Sequence, residues 1–206
     1  MPLFAELAER VLAMPPRLGP VRLIAVDGPS GAGKSWFADR LAAAAGAPVV
    51  HTDDLLDGWD DQFTFWSRLE KQVLEPLREG RPASYLRYSW ELAGFAGEPV
   101  IVPPAPAVVL EGVTSARRSV RPELSFSVFV TAPARLRWHR ATVRDGGHDV
   151  AYQRYLERWH AAEQEHFAAD DTAAHADLLV DGAAESPGDQ FVPLSAAPPD
   201  EPRSAV

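Results

Sequence analysis

The stretch Gly28-Pro29-Ser30-Gly31-Ala32-Gly33-Lys34-Ser35 constrains this chain more than any other. An apolar run, Val21 to Val26, leads into it, and an alanine- and leucine-rich run, Lys34 to Ala45, leaves it. It therefore reads as the turn from a buried strand into a helix. Glycine has no Cβ and enters positive φ freely, so such a turn can curl until successive backbone N–H groups point inward. The helix that follows adds the positive end of its dipole, and together they make a preformed anion nest. A glycine, four residues and then Gly-Lys-Ser is the Walker A spacing, in which the lysine reaches the β- and γ-phosphates of a nucleotide and the hydroxyl helps to hold Mg²⁺. Gly28, Ser30, Gly31, Ala32, Gly33, Lys34, Ser35 and Trp36 are accordingly assigned to the nucleotide, Lys34 also to catalysis and Ser35 to the metal. Asp27, which closes the strand, reads as a structural hydrogen-bond acceptor.

The remaining pattern alternates strands with helices. Leu3, Leu7, Val11 and Met14 recur at helical spacing before Pro15, Pro16 and Gly19 interrupt, giving an N-terminal helix and linker over residues 1–20. Val49 to His51 is a short strand, and Trp66, Leu69, Val73 and Leu77 mark a helix up to Gly80, with Pro76 positioned to kink its last turn. Residues 81–106 mix proline, aromatic residues and arginine without one period and read as an irregular insert with short strands. Val108 to Leu110 and Phe126 to Val130 are fully apolar strands. Pro133 opens an arginine-rich helix through Arg144 that Asp145-Gly146-Gly147 closes, a second helix covers about 150–169, and Leu178 to Val180 is a last strand. Such alternation predicts a three-layer α/β domain over residues 21–182, a mainly parallel sheet covered by helices, with ligands at the carboxyl ends of the strands. Beyond Gly182 the composition of Pro, Ala, Ser, Gly and acidic residues predicts a disordered tail over 183–206.

Charge narrows the partners. With 20 basic against 29 acidic residues the formal charge is -9, so broad attraction to nucleic acid or anionic membrane is not expected, and any anionic ligand needs a local positive cluster. The chain has no cysteine, which excludes disulfides, thiolate metal sites and cysteine nucleophiles. No apolar run reaches bilayer length, and the first residues lack the continuous apolar stretch of a signal peptide, so a cytoplasmic protein is expected.

A nucleotide cradle alone does not distinguish motors, transporters, switches and kinases. The chain carries no Asn-Lys-x-Asp guanine-reading motif and no Leu-Ser-Gly-Gly transporter signature, and the strand before Glu111 lacks the paired acidic ending of many ATPases. These absences favour a kinase. From the phosphate loop through Val49-Val50-His51-Thr52-Asp53-Asp54 to Val108-Val109-Leu110-Glu111-Gly112, the chain resembles the uridine kinase branch of the P-loop nucleoside kinases. The likeness extends through Phe129-Val130, the series Arg135, Arg137, Arg140 and Arg144, and Ala176-Asp177-Leu178-Leu179-Val180.

That resemblance implies a P-loop kinase fold with an arginine-bearing lid, ATP and Mg²⁺ as cofactors, and a small-molecule phosphoryl acceptor. It makes Asp53 the carboxylate that orients or deprotonates the acceptor hydroxyl, a role that a strand-end carboxylate beside the phosphate loop can fill chemically, with Asp54 as the alternative. Glu111, ending the next strand, is placed near Mg²⁺ and its waters. Arg140 and Arg144 lie four apart on a helix and Arg137 three before Arg140, so the three can share a face and converge on phosphate, Arg140 and Arg144 as catalytic groups.

For the acceptor, the uridine kinase pattern has an aromatic residue followed by aspartate in the insert, whereas the segment here is Arg87-Tyr88-Ser89-Trp90, with serine at the acidic position. A serine hydroxyl cannot supply the charge-assisted, bidentate acceptance that a carboxylate gives vicinal hydroxyls. Tyr85, Arg87, Tyr88 and Trp90 are the candidate acceptor wall, alongside Asp53. His160, Glu163 and His166 share a helix without a zinc spacing and read as a solvated polar face. Two functions are carried forward. The first is ATP-dependent phosphorylation of a nucleoside-like or other polar metabolite; the second is a nucleotide-binding regulatory or interaction protein without turnover.

Overall fold

The computed structural model describes residues 1–145 and 150–195. A six-stranded sheet runs in the order β2-β5-β1-β6-β7-β8. Its members are β1 (Arg22–Asp27), β2 (Val49–His51), β5 (Ala107–Glu111), β6 (Leu124–Thr131), β7 (Leu178–Asp181) and β8 (Pro193–Leu194). All neighbours are parallel except β7 and β8. The apolar strands are continuous rather than alternating because both sheet faces are covered. Leu23 and Ala25 of β1 and Val108 and Leu110 of β5 enter one core, while Ile24, Val26, Ala107 and Val109 enter the other.

The first core is closed by a helical run from α3 (Trp66–Leu69) to α4 (Glu75–Arg78). Between them Glu70–Leu74 forms a π-helical turn, in which the Glu75 N–H donates to the Glu70 carbonyl. Pro76 has no N–H and its ring crowds the preceding turn, so the wider turn absorbs at residues 70–74 the disturbance expected in the last turn. The second core is covered by α1 (Phe4–Leu12) and α2 (Lys34–Ala45), which Gly46 ends in the left-handed conformation.

Two expectations are corrected. The insert at residues 81–106 has the expected strands, but they are longer and paired: β3 (Ala83–Ser89) and β4 (Gly94–Val102) form an antiparallel hairpin, held against the first core by buried Ala83, Tyr85 and Val102. The chain is also not disordered directly after Gly182. Phe191 is 4% exposed and packs its ring 5.2 Å from Phe4 and 5.4 Å from Phe37, and β8 pairs with β7. A single aromatic anchor thus outweighs the disorder-prone composition around it. The rest of the expected tail, 196–206, and the turn at Gly146-Gly147 lie outside the described residues. α5 (Ala134–Asp145) and α6 (Val150–Asp170) run beside the phosphate loop. Among the described residues no helix is long and apolar enough to cross a membrane.

Candidate active site

The phosphate loop joins β1 to α2 at the carboxyl edge of the sheet. Gly28, Gly31 and Gly33 take φ of +137°, +76° and +104°. A Cβ on Gly31 would lie 2.4 Å from the carbonyl oxygen of Arg137 in α5, so glycine there permits both the curl and the approach of the second helix. Asp27 is fully buried beneath the loop. Its Oδ1 accepts from the N–H groups of Gly28 (2.6 Å) and Thr114 (3.0 Å), and its Oδ2 from Ala116 (2.8 Å). Burial pushes this carboxyl up to about 7, against the pull of those backbone donors and of Lys34. Asp27 therefore ties the phosphate loop to the segment after β5, as its strand-end position suggested.

Lys34 is 8% exposed and its Nζ donates to the carbonyl of Pro29 at 3.2 Å. Its charge acts on Asp27, Asp53, Glu111 and Glu163 together. The Ser35 hydroxyl donates to Oε1 of Glu111 at 3.2 Å, and His51 Nδ1 lies 2.7 Å from Oε2 of the same carboxylate. The register explains the second contact, since His51 and Glu111 are direct partners across β2 and β5. Burial opposes ionisation of Glu111 most strongly, yet His51, Lys34 and Ser35 together hold its pKa below the ordinary value. The hydrogen bond to Glu111 raises that of His51. A hydroxyl and an ionised carboxylate are hard oxygen donors that suit Mg²⁺. Among the described residues no group of three or more His, Asp or Glu side chains could hold a metal by itself, so these two fit an ion that enters with a polyphosphate.

Two cavities flank the loop. One, of about 590 Å³, is bounded by Gly33, Trp36, Arg140, Gly182 and Phe191, among others. Arg140 crosses its edge, donating to the carbonyls of Gly182 (2.9 Å) and Gly31 (3.3 Å). The other, of about 510 Å³, is lined by Ser30, Asp53, Leu56, Trp59, Trp90, Arg144, Leu156 and Trp159. Asp53 is exposed where it opens into this cavity; partial desolvation by the surrounding protein and the Glu111 charge raise its pKa, and Lys34 and Arg144 oppose the rise. The indole of Trp59 lies 4.4 Å from that of Trp90 and 5.9 Å from that of Trp159, between centroids. Tyr155 of α6 fixes the Trp59 segment by donating to its carbonyl at 2.8 Å.

The structure separates Asp53 from Asp54. Asp54 turns to the hairpin and accepts from Tyr85 (3.3 Å) and Arg87 (3.0 Å). Of the four residues expected to wall the acceptor, Trp90 lines the cavity, whereas Tyr85 and Arg87 anchor Asp54 and Tyr88 packs its ring on Trp90 and Phe95. Ser89 accepts from the Leu92 N–H and shapes the hairpin turn. The arginines do not converge. Arg137 is buried and donates to the Ala132 carbonyl, Arg140 borders one cavity and Arg144 lines the other.

His51, Trp59, Trp159 and Glu163 were missed as site residues. Glu163 is not on a solvated face: it is 1% exposed and accepts from Ser30 and Trp159. The rings of His160 and His166 likewise pack on aromatic neighbours, Trp138 for one and Phe63 and Phe167 for the other. The sequence signal for Glu163 was its i, i+4 spacing from Trp159, an aromatic beside an acid on one helical face.

No protein-family model matches the chain, and no curated protein matches it in sequence. Solved structures do. A structure described as a possible uridine kinase from Bacillus stearothermophilus superposes with a TM-score of 0.63 at 18% identity, over 85% of this chain and 96% of its own. A candidate fructose transport system kinase from Silicibacter sp. TM1040 gives 0.63 at 20% identity, over 82% and 96%. The chain thus has the α/β fold of P-loop kinases, a mostly parallel sheet flanked by helices. The two structures match it equally well, one described as a possible uridine kinase and the other as a sugar-transport kinase, so what they share with it is the fold.

Proposed function

We propose that the protein is an ATP-dependent phosphotransferase that moves the γ-phosphoryl group onto a hydroxyl of a small metabolite. One observation carries this reading: Asp53 and Arg144 open into a single cavity whose boundary includes Ser30 of the phosphate loop. An alcohol seated there meets a carboxylate that can orient or accept its proton, and a guanidinium able to stabilise charge on the group in transit. Lys34 neutralises phosphate charge from beneath. The nucleotide body extends into the cavity bounded by Trp36 and Arg140. Mg²⁺, bound by the phosphates with Ser35 and with Glu111 directly or through water, would supply further charge neutralisation.

The cavity chemistry describes the acceptor. Three indoles and two leucines present flat, apolar surface, and Asp53 is the carboxylate in the lining. Asp54 is occupied by Tyr85 and Arg87, and Ser89 by its own turn. A nucleoside-like or other metabolite with one flat face and a reactive hydroxyl suits these walls. Incubation with labelled ATP, Mg²⁺ and a panel of nucleosides, monophosphates, sugars and aromatic alcohols should give an acceptor-dependent product that Trp90→Ala diminishes by raising the acceptor KM. Tight nucleotide binding with no product across the panel and cell extracts would favour a regulatory nucleotide-binding protein instead.

A further inference from the structure

Glu163 takes no part in the transfer chemistry outlined above, yet it is a buried carboxylate touching the phosphate loop. It projects from α6 and collects three donors: the backbone N–H of Ser30 at 3.1 Å from Oε2, the Ser30 hydroxyl, and the indole N–H of Trp159 at 2.8 Å from Oε1. Trp159 stands one turn earlier on the same helix, and its N–H is also 3.1 Å from the Ser30 hydroxyl oxygen. Both Ser30 and Trp159 line the 510 Å³ cavity. One carboxylate therefore links the phosphate loop, the helix beside it and the acceptor wall.

A static tie between a helix and a loop does not need a charge. Burying a carboxylate is costly, and a neutral amide or hydroxyl could bridge the same groups at a smaller desolvation penalty. Burial raises the Glu163 pKa, against the pull of Lys34, Ser30 and Trp159, and what its ionised form adds is sensitivity to another anion. Glu163 occupies a backbone N–H of the loop read as the phosphate cradle, so polyphosphate in the loop places like charge beside it. The three hydrogen bonds meet on one carboxylate and draw on two residues, so a change in one alters the others.

We propose that Glu163 is a positioning residue that reports the state of the phosphate loop to the acceptor cavity, setting the placement of the Trp159 indole through their shared bonds with Ser30. The proposal rests on the reading of the loop as a nucleotide site. Occupancy by polyphosphate weakens the hold of Glu163 on Ser30, and the indole on the same network shifts within the acceptor wall. The acceptor then meets a wall arranged by the donor already bound.

The test uses the full chain. Mg-ATP is titrated while tryptophan emission is recorded in wild type, Trp159→Phe, Glu163→Gln and the double variant, with nucleotide binding followed separately by calorimetry. Subtracting each Trp159→Phe partner isolates the Trp159 signal. Saturating Mg-ATP is expected to shift that signal in wild type, and Glu163→Gln to reduce the shift at least fivefold at its own saturation. Ser30→Ala, paired with its own Trp159→Phe double, removes the hydroxyl that contacts both Glu163 and the Trp159 indole while leaving the backbone N–H bond, and should also reduce it; it serves if Glu163→Gln does not fold. An undiminished shift in the variants, or no Trp159 shift in wild type while calorimetry records bound nucleotide, would overturn the coupling and leave the kinase reading standing. Absence of nucleotide binding to wild type would overturn both.

Discussion

His51 Nδ1 lies 2.7 Å from Oε2 of Glu111, while the other oxygen of that carboxylate accepts from the Ser35 hydroxyl. The contact raises the His51 pKa above its ordinary 6.5 and helps to hold that of Glu111 down. A raised folded-state value means that stability from His51 is complete below about 6.5, its unfolded value, and is lost as pH rises through the folded one. Melting temperatures of wild type between pH 6 and 9 should therefore include a fall that His51→Gln lacks. Parallel profiles for the two proteins would show that the pair contributes no linkage.

Lys34 and Asp53 should fail differently. Lys34→Ala removes the cation that acts on four carboxylates and on bound phosphate, so Mg-ATP affinity and transfer should both fall. Asp53→Asn keeps the shape of the cavity but not the proton acceptor, and turnover should drop roughly 10²- to 10⁴-fold with nucleotide binding largely intact. Calorimetry and single-turnover transfer separate the two, and full turnover by Asp53→Asn would remove its assigned role.

Asp27 should be structural in its energetics. Asparagine in its place turns an NH₂ toward at least one of the three N–H groups that the carboxylate now satisfies, leaving a buried donor unpaired. Asp27→Asn is expected to cost about 1–3 kcal/mol in denaturant unfolding. A change below about 0.5 kcal/mol, the usual scale of surface substitutions, would contradict the buried network.

Phe191 tests the ordered segment after Gly182. It is packed between Phe4 and Phe37, so Phe191→Ala should destabilise by about 3–5 kcal/mol, the scale for truncating a buried aromatic. A residue in a disordered tail would give almost nothing. Urea midpoints with unchanged slopes distinguish the cases.

The glycine-rich loop could be read from the sequence by itself. The nest needs residues 28–35 in one order between a strand and a helix, and such local geometry is written in consecutive residues. The parallel sheet was legible for a similar reason, because strands buried on both faces must be apolar throughout. Tertiary structure alone decided which carboxylate opens into the cavity beside it. Asp53 and Asp54 are adjacent and chemically alike, and only the docking of the hairpin, with Tyr85 and Arg87 on Asp54, left Asp53 to the cavity. Composition likewise could not reveal that Phe191 folds back on Phe4, or that Glu163 reaches Ser30 across 133 residues. Hydrogen bonds and apolar contacts of that separation depend on how whole elements pack, and no local spacing encodes them.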